Sequence, residues 1–440
     1  MINKPLLVFQ GPVRSRSGYG DHTRDLISSL IDMDKYDIKI APTRWGDCPE
    51  TGLEGSNKDK LEHLIMLNNN LPKQPDVYIN CSVPNEFQPL GRYNRGITAG
   101  IETTICDASW IEGCNRMDLI IVPSQHSKNI LVSTQFDKMD NQTNQKIATL
   151  KLSKPIEVLF EGIDTNVYKR TNEIHKSIKD QLSIVKESFA FLFVGHWLRG
   201  AMGQDRKDIG MLVKTFAETY KNKASHNRPA LILKTSGAGF SIMDRDEHMQ
   251  KIQQILAPYG HKAPKIYLLH GDLTDNEMNS LYNHPKIKAM ISFTKGEGFG
   301  RPLLEFTATG KPVIASAWSG QVDFLKDYSI MLPGDLKEIH ESAADKFLLK
   351  GSKWFTVNYQ YASAVIKDIS EDYKKYLPKA KEQMKYTNST FTLDKMALKF
   401  IDLVDRGLSD IPQEISLKLP KLKKVEKPTL KLPKLKKVEA

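Results

Sequence analysis

Two glutamates stand eight positions apart in the stretch MISFTKGEGFGRPLLEFTATGKPVIAS, residues 290–316, with a glycine-rich turn between them. A carboxylate accepts paired hydrogen bonds and suits vicinal hydroxyls, whereas a phosphate suits free backbone N–H groups and cations. Glu297 lies in the turn and Glu305 in the helix that the turn leads into. Pro302 falls in the first helical turn, where a missing N–H costs nothing. Gly298 and Gly300 let backbone approach a ligand closely, and the helix N-terminus offers free N–H groups to an anion. A ligand with phosphate between two diol-bearing rings, a nucleotide sugar, satisfies all of these groups at once. The plainer alternative makes Glu305 a first-turn acid favoured by the helix dipole and Glu297 a solvated loop charge.

The elements that must position these residues are βαβ units. Short apolar runs alternate with amphipathic stretches of helical period for nearly 400 residues, the pattern of parallel sheets. PLLVFQG, YDIKIAP, DVYINCS, RGITAGIET, DLIIVPS and IEVLFEG read as a first strand series, and DHTRDLISSLIDM as the first helix. SFAFLFVGH, PALILKTSG, KIYLLHGD, IKAMISFT and KPVIASA read as a second series. The polar segment 138–150 reads as a loop. The expected fold class is therefore α/β, with two Rossmann-like doubly wound parallel-sheet domains facing a cleft and a basic C-terminal tail. The expected division is an acceptor-binding domain at 1–175 and a nucleotide-sugar domain at 176–390. A helix at 391–411 returns toward the first domain, and a Lys-rich repeat tail occupies 412–440.

Composition narrows the class. The chain has 440 residues and a formal net charge of +11, and no apolar run is long enough to span a membrane. Most of that charge lies in the tail: LKLPKLKKVE occurs at 417–426 and again at 430–439, and residues 417–440 hold nine lysines against two glutamates. Pro420, Pro428 and Pro433 prevent a long helix there, so the tail reads as an extended cationic tether to nucleic acid or an anionic membrane, or simply as a solubilising appendage. The four cysteines (Cys48, Cys81, Cys106, Cys114) form no CxxC pair. With no secretory signal at the N-terminus, a reducing cytoplasm fits.

EGFGRPLLE resembles the E-x7-E signature of retaining GT-B glycosyltransferases, especially family 4. LFVGHWLRGAMGQDRKDIGMLVKTF is similar to that family's strand-loop-helix carrying a basic diphosphate pair, and VLFEGIDTNVY and IVPSQHSKNIL to the end of its first domain. The resemblance covers residues 5–325 in order. It implies that Glu297 contacts donor-sugar hydroxyls and Glu305 the ribose diol. Gly298, Phe299, Gly300 and Arg301 would then border the diphosphate, Phe299 and Gly300 through backbone N–H groups. It implies Lys207 as the second phosphate contact, opening the helix, with Arg206 beside it. The family's arginine after the strand glycine is replaced: His196 follows Gly195, so Arg199 or Arg206 must supply the charge. The backbone around Leu273 would read the base, and Thr274 with Glu277 forms a capping box. The loop holding Gly18 and Gly20 resembles the one that approaches donor and acceptor, where Arg14 and Arg16 suit a phosphate-bearing acceptor.

Glu102 takes the position of the family's histidine beneath the donor sugar, where a carboxylate stabilises developing positive charge. Its structural alternative is a strand-end acid bonded to backbone. Asn85 and Glu86 line the same cleft more weakly. Asp244-Arg245-Asp246 superficially matches a D-x-D metal motif but reads as a helix N-terminal acidic cluster, so no metal is expected. The resemblance implies a metal-independent retaining glycosyltransferase using a nucleotide sugar, UDP-sugar being the commoner donor.

The loop VGHWLRGAMGQDRK and the Lys- and Asn-rich style are more similar to phage-encoded members. With the tail, this favours a hydroxylated pyrimidine of phage DNA as acceptor. A surface polysaccharide or lipid glycan is the second reading, and a non-catalytic polyanion-binding protein on the same fold the third. If the tail carries the attachment, DNA binding falls steeply with salt and is lost on deleting 417–440. Binding unchanged by that deletion contradicts it.

Overall fold

The computed structural model describes residues 4–408 except 69, 70, 72, 141, 144 and 238. The Lys-rich repeat lies outside the described residues.

The first sheet contains β1 (Leu6–Gly11), β2 (Asp37–Pro42), β3 (Val77–Cys81), β4 (Tyr93–Ile97) and β5 (Leu119–Val122). A hairpin of β6 (Gln135–Met139) and β7 (Lys146–Lys151) precedes its last strand, β8 (Ile156–Val158). The second sheet contains β9 (Ala190–Val194), β10 (Ala230–Lys234), β11 (Ile266–Leu269), β12 (Ile287–Ser292), β13 (Val313–Ser316) and β14 (Ile330–Leu332). A second hairpin, β15 (Gly334–Glu338) with β16 (Lys353–Val357), follows.

Both six-stranded sheets are parallel throughout, in the orders β2-β1-β3-β4-β5-β8 and β11-β10-β9-β12-β13-β14. Helices cover both faces, so the central strands are near-continuous apolar runs. Alternation divides the second sheet's core in two. Leu192, Ile232, Met290 and Ala315 face one layer, with Leu304 and Phe306 of helix Arg301–Thr307. Phe191, Phe193, Leu231 and Ile291 face the other, with Leu212 and Phe216 of helix Ile209–Tyr220.

Strand order reverses beside β1 in the first sheet and beside β9 in the second, and a crevice opens beyond the strand ends at such a point. The last described helix, Leu393–Asp405, returns to the first lobe: the Leu393 amide donates to Ile163 O at 2.8 Å, the Ile163 amide to Phe391 O at 3.0 Å, and Tyr36 and Lys35 both donate to Asp405.

Three expectations need correction. Segment 138–150 contributes to two strands, Gln135–Met139 and Lys146–Lys151, rather than being loop throughout: Phe136 pairs with Leu150, which packs on the first lobe's core, while most other side chains of the ribbon, Met139 and Ile147 included, face water. Gly18 and Gly20 are the first turn of a helix spanning Gly18–Asp32, capped by Ser17, rather than a free loop. A Cβ on Gly20 would overlap the Ser15 carbonyl, which is why glycine stands there. β4 ends at Ile97, so Glu102 belongs to the following loop and not to the strand.

Candidate active site between the two sheets

Loops following β4, β9, β12 and β13 converge where the two sheets' C-terminal ends meet. After β9 the chain runs from Gly195 to Asp208 before helix Ile209–Tyr220 begins, so Arg206 and Lys207 precede that helix rather than open it. Asp208 caps the helix in a left-handed conformation, φ 54°. Beneath the basic pair lies a fully buried ion pair: Lys295 Nζ donates to Asp208 Oδ2 at 3.1 Å and to Thr356 Oγ1 at 3.1 Å, and Tyr359 Oη donates to the same Asp208 oxygen at 2.6 Å. The Lys295 amide also donates to the Arg206 carbonyl at 2.7 Å. This buried joint, absent from the sequence reading, fixes which way Arg206 and Lys207 project. Nothing in the residue types around Lys295 and Asp208 marked them as partners, since 87 positions separate them.

Lys207 pairs with Glu297, and Arg206 reaches Glu297 Oε2 at 3.2 Å, the Gly296 carbonyl at 3.0 Å and Glu102 Oε1 at 3.6 Å. Burial works to raise the Glu297 carboxyl, but Lys207 and Arg206 outweigh it and hold it below the usual carboxylate range. Burial in turn lowers the Lys207 ammonium, against the pull of Glu297. Gly195 lies against the same lysine, and the tightest neighbour a Cβ there would meet is the Phe193 ring, at 3.1 Å. Four of the sequence-derived residues thus come together: Glu297, Glu102, Arg206 and Lys207. Arg199 is not among them, since it is exposed and pairs with Asp345. His196 is exposed at the same strand end, with Nδ1 3.4 Å from Ser236 Oγ.

The glycine turn has a structural task that the sequence did not disclose. A Cβ on Gly298 would overlap the Ala99 carbonyl oxygen, and one on Gly296 the Glu102 carbonyl oxygen. These glycines admit the first lobe's backbone as well as any ligand. Gly300 does need its freedom, with φ 104° before helix Arg301–Thr307. Phe299 is buried and packs on Phe324 at a ring separation of 5.0 Å. Ser319 accepts from the Glu297 amide at 2.9 Å, which fixes the start of the turn.

Glu305 sits at the other end, 6% exposed. Tyr282 Oη and Arg301 Nε donate to its two oxygens, each at 3.0 Å. Arg301 also pairs with Asp25 of the first lobe at 2.6 Å, so it is a bridge between lobes, not only a neighbour of the turn. Burial pushes Glu305 up to about 7, against the charge of Arg301, and Glu161 up to about 8. Asp21, Asp25, Glu161 and Glu305 therefore share one arginine, Arg301, with Arg24 paired to Asp21.

The remaining expected positions lie around this centre. Leu273 is partly buried in the core, and its amide donates to Asp272 Oδ1 at 3.0 Å. Asp272 also pairs with Arg16 of the first lobe at 2.7 Å. Thr274 and Glu277 form the capping box. Arg14 pairs with Glu62. Glu86 accepts from Ser82, and Asn85 Oδ1 is buried without a partner. Asp244 and Asp246 lie within the first turns of helix Ile242–Leu256, and Asp244 accepts from the Gly237 amide at 3.0 Å and pairs with His270 at 2.6 Å. Among the described residues no group of three or more His, Cys, Asp or Glu side chains is placed to hold a metal ion. No described helix is long and apolar enough to cross a membrane.

A raised carboxyl pKa makes ionisation costly in the folded protein, so the cost is absent below the ordinary value of 4.5 and grows as pH rises toward about 8. Glu161→Gln removes that cost. Its melting temperature should exceed that of the unsubstituted protein at pH about 8.5 and converge with it near pH 4. Equal melting at both pH values contradicts the assignment.

Residues 177–349 match the family Glycosyl transferases group 1. No curated protein matches the chain by sequence. Among solved structures, a glycosyltransferase from Rickettsia africae ESF-5 superposes with a TM-score of 0.62 at 13% identity, covering 93% of this chain and 100% of its own. Sucrose-phosphate synthase from Thermosynechococcus elongatus gives 0.61 at 12% identity, covering 93% and 100%. Anabaena HepE in complex with UDP and glucose gives 0.56 at 13% identity, covering 91% and 99%. At these identities the likeness is one of fold, and the fold is GT-B. The Arg206–Lys207–Glu297 cluster and the whole E-x7-E turn lie inside the region that matches glycosyl transferases group 1, and the chain has a GT-B fold.

Proposed function

We propose that the protein is a retaining glycosyltransferase that moves a sugar from a nucleoside diphosphate, UDP being the commoner carrier, to an acceptor hydroxyl. The observation that carries this reading is the pair Arg206–Lys207, mostly buried at the second sheet's reversal point beside Glu297 and facing a first-lobe carboxylate, Glu102. Two fixed cations beside a helix N-terminus suit a diphosphate, and a buried carboxylate between them and the first lobe suits sugar hydroxyls.

In this reading the acceptor oxygen attacks the anomeric carbon from the face that the diphosphate leaves. The carbon–oxygen bond to phosphate breaks as the bond to the acceptor forms, and the departing phosphate oxygen takes the acceptor's proton. Arg206 and Lys207 stabilise the charge that grows on the leaving group, which makes the reaction metal-independent. Glu102 faces the positive charge on the sugar. Glu305 holds the ribose, sharing its oxygens with Tyr282 and Arg301.

For the acceptor we propose a hydroxylated pyrimidine in DNA. This rests on the cationic repeat at 417–440 and on the resemblance of the 194–207 loop, not on the cleft, where Arg14 and Arg16 are already paired with acids. Incubation with a panel of UDP- and GDP-sugars and hydroxymethylcytosine DNA, followed by nucleoside mass measurement, should show a gain of one sugar with no added metal. No gain with any donor removes the DNA reading. Glu305→Ala should weaken nucleotide-sugar binding at least about tenfold, and unchanged affinity contradicts the ribose role.

A further inference from the structure

The basic pair meets its own counter-charge. Arg206 lies 3.2 Å from Glu297 and 3.6 Å from Glu102, and Lys207 is paired with Glu297. Two cations face two carboxylates, so the cluster as it stands is close to neutral and gives little net attraction to a diphosphate. One of the carboxylates must yield when an anion arrives.

The two differ in how they are held. Glu297 is 8% exposed, its amide donates to Ser319 Oγ, and its carbonyl accepts from the Gly320 amide at 3.0 Å. Glu102 belongs to the other lobe, its side chain is 31% exposed, and its ion pair with Arg206 is longer than a hydrogen bond. The backbone beneath it is well fixed. The Thr104 amide donates to the Lys353 carbonyl at 2.9 Å, Lys353 N donates to Thr104 Oγ1 at 2.9 Å, and the loop lies directly on Gly296 and Gly298. The side chain can therefore swing while its loop stays in place.

We propose that Glu102 is a built-in competitor for the donor diphosphate: its carboxylate balances Arg206 in the empty cleft and is expelled when phosphate takes its place. The expelled carboxylate remains on a fixed loop at the edge of the site, next to the space for the sugar. The same residue thus tunes donor affinity and, once released, faces the reacting ring. This rests on the reading that Arg206 and Lys207 bind a diphosphate.

The test is calorimetric titration of the full-length protein with UDP, with GDP and with uridine, before and after Glu102→Gln. Removing a like charge a few ångströms from the phosphates should tighten binding of the recognised nucleoside diphosphate by about tenfold or more. Uridine carries no phosphate, so its affinity should stay unchanged. Glu102→Ala serves as a second variant, with a melting curve to confirm folding. Unchanged or weaker diphosphate affinity in both variants, or an equal shift for uridine, overturns the proposal. If the unsubstituted protein binds neither UDP nor GDP, the donor reading itself fails, and this inference with it.

Discussion

Two positive charges are held out of water where the sheets meet, and much of the surrounding structure follows from the need to satisfy them. Arg206 and Lys207 have side-chain exposures of only 19% and 12%. Buried ions must be paired and hydrogen-bonded, and stranding one by deleting its partner costs about 3–5 kcal/mol. Glu297 answers both, and its own backbone is anchored by Ser319 and Gly320. The loop that delivers the pair is pinned from below by Lys295 and Asp208, which tie the segment after β9 to the segment after β12. Burial raises the Asp208 carboxyl to about 6, against the Lys295 charge, and one of its oxygens has no partner. That burial is costly, and the hydrogen bonds that Lys295 and Tyr359 donate to the other oxygen offset it.

The same region joins the two lobes. Glycines at 296 and 298 bring the first lobe's 99–102 backbone against the turn, so the stretch that carries Glu297 is also the seam between lobes. Around the seam, Asp25 pairs with Arg301, Arg16 with Asp272, the Gln125 amide with Asp323, and Trp110 packs on Phe347. Arg301 pairs with both Glu305 and Asp25, and so links the second lobe's buried carboxylate to helix Gly18–Asp32 of the first. A cavity of about 860 Å³ lies elsewhere, between helices Ile209–Tyr220 and Ile242–Leu256, lined by Trp197, Met202, Lys214 and Lys251 among others.

The architecture was legible because parallel strands covered on both faces must be apolar runs, and AFLFV, ALILK and LIIV can be little else. The turn around Glu297 was legible because glycine and proline have narrow uses. Long-range pairings were not legible. Lys295 with Asp208, and Asp25 with Arg301, are ordinary charged residues until the fold brings them together. The 135–151 hairpin escaped notice because both its strands face water over most of their length, which removes the alternation that betrays a strand. The helix beginning at Gly18 escaped because two glycines in a first turn read as a loop, although Ser17 capped it.

The central claim is that Arg206 and Lys207 form the diphosphate site, and Lys207→Met addresses it most directly. Calorimetry with the recognised nucleoside diphosphate and its parent nucleoside separates phosphate binding from base and ribose binding. The account predicts that Lys207→Met weakens the diphosphate by about a hundredfold and leaves the nucleoside unaffected. A variant that binds the diphosphate as tightly as the unsubstituted protein would contradict it.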